Sequence, residues 1–303
     1  MKRTAAALML LSLLALAGCQ NATTPSFDEA RAWADLEKQV AFGPRVPGTD
    51  AHHRCREWLV QALTEAGGRV TVQAAVDSAY PVPGIDTLYN IRARFGAENA
   101  PYVVLGAHWD CRPWADRETD PAKKAKPVDG ANDAASGVAI LLEMARQMGK
   151  TAPPLGVELV LFDGEDAGND STPETFCRGS QAYVALLGHP RPLHAIVVDM
   201  VGGKSLALHP EVQSMESAPN LVDRLWAGAK TVHAPAFLPG ARFQVYDDHI
   251  PFIREGIPAV DLIDLDYPEW HTARDLPASC SAASLGQVGR VLLWHLYTLQ
   301  VSS

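Results

Sequence analysis

Apolar residues recur at helical spacing over residues 28–39, where Ala32, Trp33, Leu36 and Val40 fall on one stripe. A second helical pattern covers 52–66 and ends at Gly67-Gly68, a stop signal. Strand patterns follow over 69–76, 88–95 and 102–107. A helix is expected over 134–148, since Val138, Leu141, Leu142, Ala145 and Met148 keep its period. Apolar runs at 156–162, 194–200 and 258–263 read as buried strands, with helices over 180–187 and 219–229 between them. Leu285, Val288, Leu292, Leu296 and Leu299 mark a closing helix over 285–299. Strands that alternate with helices predict an α/β fold, a single domain whose mixed, mostly parallel central sheet is flanked by helices on both faces. Trp33, Trp58, Trp226 and Trp294 lie on expected helices and read as core. Two irregular stretches, 109–131 and 164–179, have the length of functional loops.

Composition narrows the function classes. A chain of 303 residues that is 47% hydrophobic and 20% charged has the material for a large core and is not a disordered polymer. Lys and Arg number 26 against 35 Asp and Glu, a net charge of -9. That balance argues against nucleic acid as a partner, because phosphate backbones need clustered basic residues.

The first residues read as an address. Lys2 and Arg3 precede an apolar run over 5–17 that is too short to span a bilayer and has the form of a secretory signal. Leu16-Ala17-Gly18-Cys19 resembles the bacterial lipobox, in which the cysteine is lipidated and becomes the new N-terminus. Gln20 follows where Asp would signal retention at the inner membrane, so the resemblance implies outer-membrane sorting. The expected division is a lipoprotein signal peptide at 1–18, a lipidated N-terminus and tether at 19–26, and a folded domain at 27–303. The chain is then an exported, periplasm-facing lipoprotein held to the membrane through lipid on Cys19. Cys55, Cys111, Cys177 and Cys280 match no zinc-finger spacing, and the sequence leaves them open to pairing or to remaining free.

The chemistry-bearing residues gather where strands end. The strand at 102–107 runs into His108-Trp109-Asp110, and the strand at 156–162 into Asp163-Gly164-Glu165-Asp166. Asp199 lies near the end of the strand at 194–200. Open α/β sheets bind ligands outside the carboxyl ends of their strands. Gly130-Ala131-Asn132-Asp133 stands just before a helix, and Glu269-Trp270-His271-Thr272 follows the last strand. Each residue has a plain structural alternative. Asp133 can cap a helix, His271 can be an exposed loop histidine, Asp199 can pair with a buried arginine, and Glu165 and Asp166 can be solvated charges. As a set they argue for a cation, since carboxylates crowded at one site repel one another without one. Histidine plus carboxylate, with no thiolate pattern, suits zinc with an open coordination position. His52 and His53 open a helix and are expected at the surface. His189, His194, His209, His233 and His295 have no partner at metal spacing, and Lys123-Lys124-Ala125-Lys126 reads as a solvated loop.

The order His108-x-Asp110, Gly130-x-Asn132-Asp133, Glu165-Asp166, Asp199 and His271 resembles the zinc-dependent aminopeptidase superfamily. Within it, four stretches resemble the glutaminyl-peptide cyclotransferases: 42–49 (FGPRVPGT), 162–166 (FDGED), 247–252 (DDHIPF) and Trp270-His271-Thr272. The resemblance implies that Asp133, Asp166 and His271 hold zinc and that Glu165 transfers the proton. It also implies that Asp199 and Asp247 belong to the carboxylate network beside Glu165, and that Trp270 walls the substrate pocket. His249, after two aspartates, is expected to orient them. The chain departs from the pattern at Asp166, where the superfamily usually has Glu, and the segment before Trp270 is about one residue shorter than in the animal enzymes. The second pocket tryptophan of those enzymes has no counterpart after Glu165-Asp166, and Trp109 or Trp114 is the expected substitute. His108 with Asp199 leaves a second-metal site open.

The implied reaction is attack of the α-amine of an N-terminal glutamine on its own γ-carbonyl, with loss of ammonia. The partners would be peptides or proteins with N-terminal Gln, acted on by a monomer. One zinc with Asp133 and Asp166 balances to zero charge and leaves Asp199 for an amine, so one Zn2+ per chain is expected rather than two. The alternative is a two-zinc aminopeptidase, in which Glu165 activates a shared water. A catalytically dead binding lipoprotein is disfavoured because the ligands and the base are all present.

Overall fold

The computed structural model describes residues 24–299. The signal at 1–18 and the lipidated Cys19 fall outside the described residues. In chain order the elements are α1 (Glu29–Val40), α2 (Asp50–Glu65), β1 (Arg69–Val76), β2 (Thr87–Phe95), β3 (Tyr102–His108), α3 (Pro121–Lys124), α4 (Ala135–Lys150) and β4 (Gly156–Phe162). Then come α5 (Arg178–Ala185), β5 (Ala195–Asp199), α6 (Val212–Ser217), α7 (Pro219–Thr231), α8 (Ile250–Arg254), β6 (Ala259–Ile263) and α9 (Ala282–Thr298). Several helix starts follow from local capping. Asp28 accepts from the amide of Arg31, Thr49 from His52 and Ser281 from Ser284. The Ser281 cap starts α9 three residues before the expected 285. The short helices α3, α6 and α8 escape a periodicity reading because they run only four to six residues.

Six strands form one sheet in the order β1-β2-β4-β3-β5-β6. β1 pairs with β2, and β2 with β4, antiparallel. β4, β3, β5 and β6 are parallel neighbours. Every residue of β3, β4, β5 and β6 is buried, as parallel strands covered on both faces require. β1 and β6 are the edge strands, and β1 is the more exposed.

Alternate side chains feed two cores. Val103, Leu105 and Ala107 of β3 join Val157, Leu159 and Leu161 of β4 against α1, α2, α4, α7 and α9. Tyr102 and Val104 join Val160 and Phe162 on the opposite face, where Tyr183 of α5 and Phe252 of α8 cover them. α4 lies so close to the sheet that a Cβ on Gly137 would run into the carbonyl of Val198, which makes glycine necessary there. The four helix tryptophans named above are partly buried, three of them packed against the larger core. Among the described residues no helix is long and apolar enough to cross a membrane.

One histidine expectation is corrected. His52 is fully buried, with Nε2 2.9 Å from Asp163 Oδ1. His194 and His295 are also buried and face one another, 3.0 Å apart between their Nε2 atoms, and Arg224 Nε donates to His295 Nδ1 at 3.1 Å. Burial, with Arg224 nearby, pulls the His194 pKa down to about 4, so the pair is neutral near pH 7. All four described cysteines, Cys55, Cys111, Cys177 and Cys280, are free and buried, which settles their pairing.

Candidate active site

Parallel strands end together, so the loops that follow β3, β4, β5 and β6 converge on one edge of the sheet. The loop after β4 carries Glu165 and Asp166, and the segment before α4 carries Asp133. The loop after β6 brings His271. Asp133, Asp166 and His271 are buried and place ligand atoms within 4.8 Å of one another. His271 Nε2 is 3.2 Å from Asp166 Oδ1 and 3.6 Å from Asp133 Oδ2. Asp133 does not cap α4: Ala134 is the N-cap residue and no side chain bonds there. Asp166 Oδ2 is buried without a hydrogen-bond partner.

A second set of side chains holds this triad in place. Asp110 accepts the backbone amides of Glu165 and Asp166 at 3.1 and 3.3 Å. Asp275 accepts those of Asn132 and Asp133 at 2.8 and 3.1 Å and receives the Tyr267 hydroxyl at 2.8 Å. Asp116 Oδ1 stands 3.1 Å from Nδ1 of His271. Arg112 clamps Asp116 and donates to the carbonyls of Asp166 and Gly168. Burial works against the charged forms of Asp116 and His271. Their mutual contact prevails, holding the Asp116 carboxyl below the usual carboxylate range while Asp166, Asp116 and Asp133 raise the imidazole pKa to about 9. Neither Asp116 nor Asp275 is marked by spacing. Asp116 lies within the long loop already flagged by its length.

A second group shares Asp133. His108 Nε2 is 3.0 Å from Asp133 Oδ1 and 3.2 Å from Asp199 Oδ1, so Asp199 faces a histidine, not an arginine. Burial pushes the Asp199 pKa up to about 7 and that of Glu165 well above the usual range. Glu165 Oε1 contacts Cys177 Sγ at 3.5 Å. Asp247 lies in the same group, with Oδ2 unpartnered. His249 stands behind it, 3.3 Å from Glu211 and 3.8 Å from Asp261, in a buried cluster with Asp247 and Asp261 whose polar atoms lie within 4.8 Å of one another. His271 and Cys177 have φ of 54° and 57°, a left-handed conformation that costs a non-glycine residue about 1–3 kcal/mol. Both stand at the site.

These groups open into a cavity of about 240 Å³ lined by Asp133, Glu165, Asp166, Asp199, Asp247 and His271, with Trp270, Phe176, Tyr246 and Met200 among its walls. The Trp270 ring lies 4.4 Å from that of His271, and the Arg117 guanidinium caps its other environment at 4.4 Å. Trp109 is not a pocket residue. It continues the row Val103, Leu105, Ala107 into the helix-side core, stacks on His52 at 4.1 Å and donates to the Tyr89 carbonyl. Trp114 packs beside Tyr80 and Leu88, also away from the cavity. Phe176 and Tyr246 instead supply the aromatic surface expected of Trp109 or Trp114. A larger cavity, about 480 Å³ beside Arg69, Arg92 and Arg94, holds none of the candidate residues.

Comparison with known proteins gives this geometry a context. The model of Peptidase family M28 matches residues 90–295. The crystal structure of Tannerella forsythia glutaminyl cyclase superposes with a TM-score of 0.86 at 38% identity, covering 91% of this chain and 100% of that one. A Bacteroides thetaiotaomicron structure described as a leucine aminopeptidase precursor superposes with a TM-score of 0.88 at 33% identity, covering 92% and 100%. The glutaminyl-peptide cyclotransferase of Drosophila melanogaster is 29% identical over 262 residues, 77% of this chain and 70% of its own length.

The Asp116 contact makes a quantitative prediction. A carboxylate on Nδ1 keeps that nitrogen protonated and leaves Nε2 as the ring atom that would face a cation held by Asp133 and Asp166. Asp116→Asn should weaken zinc binding by about 10- to 100-fold, read by competition with a chelating dye. Unchanged affinity would show that Asp116 does not set the ring.

Proposed function

We infer that this chain, which belongs to peptidase family M28, is a glutaminyl-peptide cyclotransferase, converting the N-terminal glutamine of peptides or proteins to pyroglutamate with release of ammonia. The observation that carries the reading is the siting of Glu165. It is a buried carboxyl that lines the same small cavity as the Asp133–Asp166–His271 triad, under an aromatic wall.

The triad fits zinc. Ligands about 2.0–2.1 Å from a tetrahedral ion stand roughly 3.3 Å apart, and the His271 separations of 3.2 and 3.6 Å bracket that edge. The unpartnered Asp166 Oδ2 is a further donor. When bound, zinc supplies Lewis-acid polarisation of the glutamine γ-carbonyl. Two carboxylates in the triad balance one divalent charge, which supports a single ion per chain.

The chain's own residues then account for the proton traffic. The substrate α-amine attacks the carbonyl carbon of the side-chain amide, a C–N bond forms, and the bond from that carbon to the side-chain nitrogen breaks. Glu165 takes a proton from the attacking amine and returns it to the leaving nitrogen, which departs as ammonia. Burial favours its protonated form, so the proton is held between the two transfers. Asp199 accepts a charge-assisted hydrogen bond from the amine and sets its direction, with Asp247 beside it. Trp270 and Phe176 exclude the water that would divert the reaction to hydrolysis.

One alternative has a specific observation behind it. His108, Asp133 and Asp199 also place ligand atoms within 4.8 Å of one another, as a two-zinc aminopeptidase hydrolysing N-terminal residues would need. We further propose, from the sequence before residue 24, that the chain is exported, lipidated on Cys19 and anchored at the outer membrane facing the periplasm, and from the resemblance that it is a monomer.

A peptide with N-terminal Gln should yield ammonia and pyroglutamate in equal amounts, whereas release of free glutamine would favour the aminopeptidase. Glu165→Gln should keep its zinc and lose about 10²- to 10⁴-fold in kcat; activity within a few-fold of the parent would remove Glu165 as the proton carrier. Radiolabelled palmitate should enter the parent chain in a Gram-negative host and not Cys19→Ser, and equal labelling of both would end the lipoprotein proposal.

A further inference from the structure

Three groups outside the triad stand together, two of them on the cavity wall and the third, Cys177, fully buried just behind it. Glu165, Cys177 and Asp247 place a carboxylate oxygen, a sulfur and a carboxylate oxygen within 4.8 Å of one another. Cys177 Sγ touches Glu165 Oε1 at 3.5 Å. A separate observation points to a missing partner: Asp247 is only 3% exposed, yet its Oδ2 has no hydrogen-bond partner. Glu165 and Asp247 both line the cavity, so a small cation entering beside the substrate reaches them.

We propose that Glu165, Cys177 and Asp247 form an inhibitory site for a thiophilic divalent cation, zinc in excess or cadmium, distinct from the Asp133–Asp166–His271 triad. Sulfur is the discriminating donor. The triad offers nitrogen and oxygen only, whereas a thiolate selects zinc and softer ions over magnesium or calcium. Burial, and then the neighbouring carboxylates, keep the Cys177 thiol protonated in the metal-free chain, so it is the incoming cation that displaces the proton to solvent as the sulfur takes the metal, with no change of oxidation state. The same cation engages Glu165, which can then no longer accept the amine proton, so turnover stops. This consequence rests on Glu165 being the proton carrier.

The test is a titration of the zinc-loaded chain with cadmium, following both turnover and the ultraviolet thiolate-to-cadmium charge-transfer band. Exchange of cadmium into the triad produces no such band, because no sulfur is there. The expected result is a band that saturates with the loss of most turnover. In Cys177→Ser and in Cys177→Ala the band should vanish, and the cadmium needed to halve each variant's own activity should rise at least about tenfold. Absence of a band at saturating cadmium overturns the site, and so does a band that persists in both variants, which would assign it to Cys55, Cys111 or Cys280. A Cys177-dependent band with turnover unaffected would keep the site and overturn both the inhibition and the role of Glu165.

Discussion

Asp133, Glu165, Asp166, Asp199 and Asp247 surround one cavity, each more than nine-tenths buried. Carboxylates so placed repel one another strongly and lose their hydration. The surrounding structure supplies part of the compensation. His108 lies between Asp133 and Asp199, His271 stands beside Asp133 and Asp166, and Arg112 reaches Asp166. The remaining negative charge is what a divalent cation offsets. Burial first, and the neighbouring carboxylates after it, raise the Glu165 and Asp199 pKa values, in groups that touch no arginine or lysine.

The fold is arranged to impose that crowding. The four parallel strands are covered on both faces, so polar residues can appear only where the strands stop. Asp110 and Asp275 then fix the loops by each accepting two consecutive backbone amides, at Glu165–Asp166 and at Asn132–Asp133. These four bonds orient a base and two ligands without using the ligands' own oxygens. Asp163 does similar work deeper in the structure, bonding His52 and the amide of Tyr89.

Much of this was legible because parallel strands read as unbroken apolar runs, whose ends mark the functional edge. The same logic points to His108, Glu165, Asp166 and Asp199 from the sequence alone. Asp133 was ambiguous between cap and ligand until family resemblance was considered, since a helix start is where both roles occur. Trp109 was misassigned, although the parity of β3 already set it in line with Val103, Leu105 and Ala107. His52 was not legible: its partner Asp163 is 111 residues away, and the start of an amphipathic helix gives no hint of it. Phe176, Tyr246 and Asp116 come from irregular loops, where neither period nor spacing constrains direction.

In the proposed reaction a single cation completes this carboxylate set, whose catalytic power goes to an amine rather than to water. Zinc added back stepwise to the metal-free chain tests it most directly, with bound metal and glutaminyl-peptide cyclisation measured on the same samples. Cyclisation that reaches its plateau at one tightly held zinc per chain is the predicted result. A requirement for a second tightly held zinc, accompanied by release of N-terminal amino acids, would contradict it.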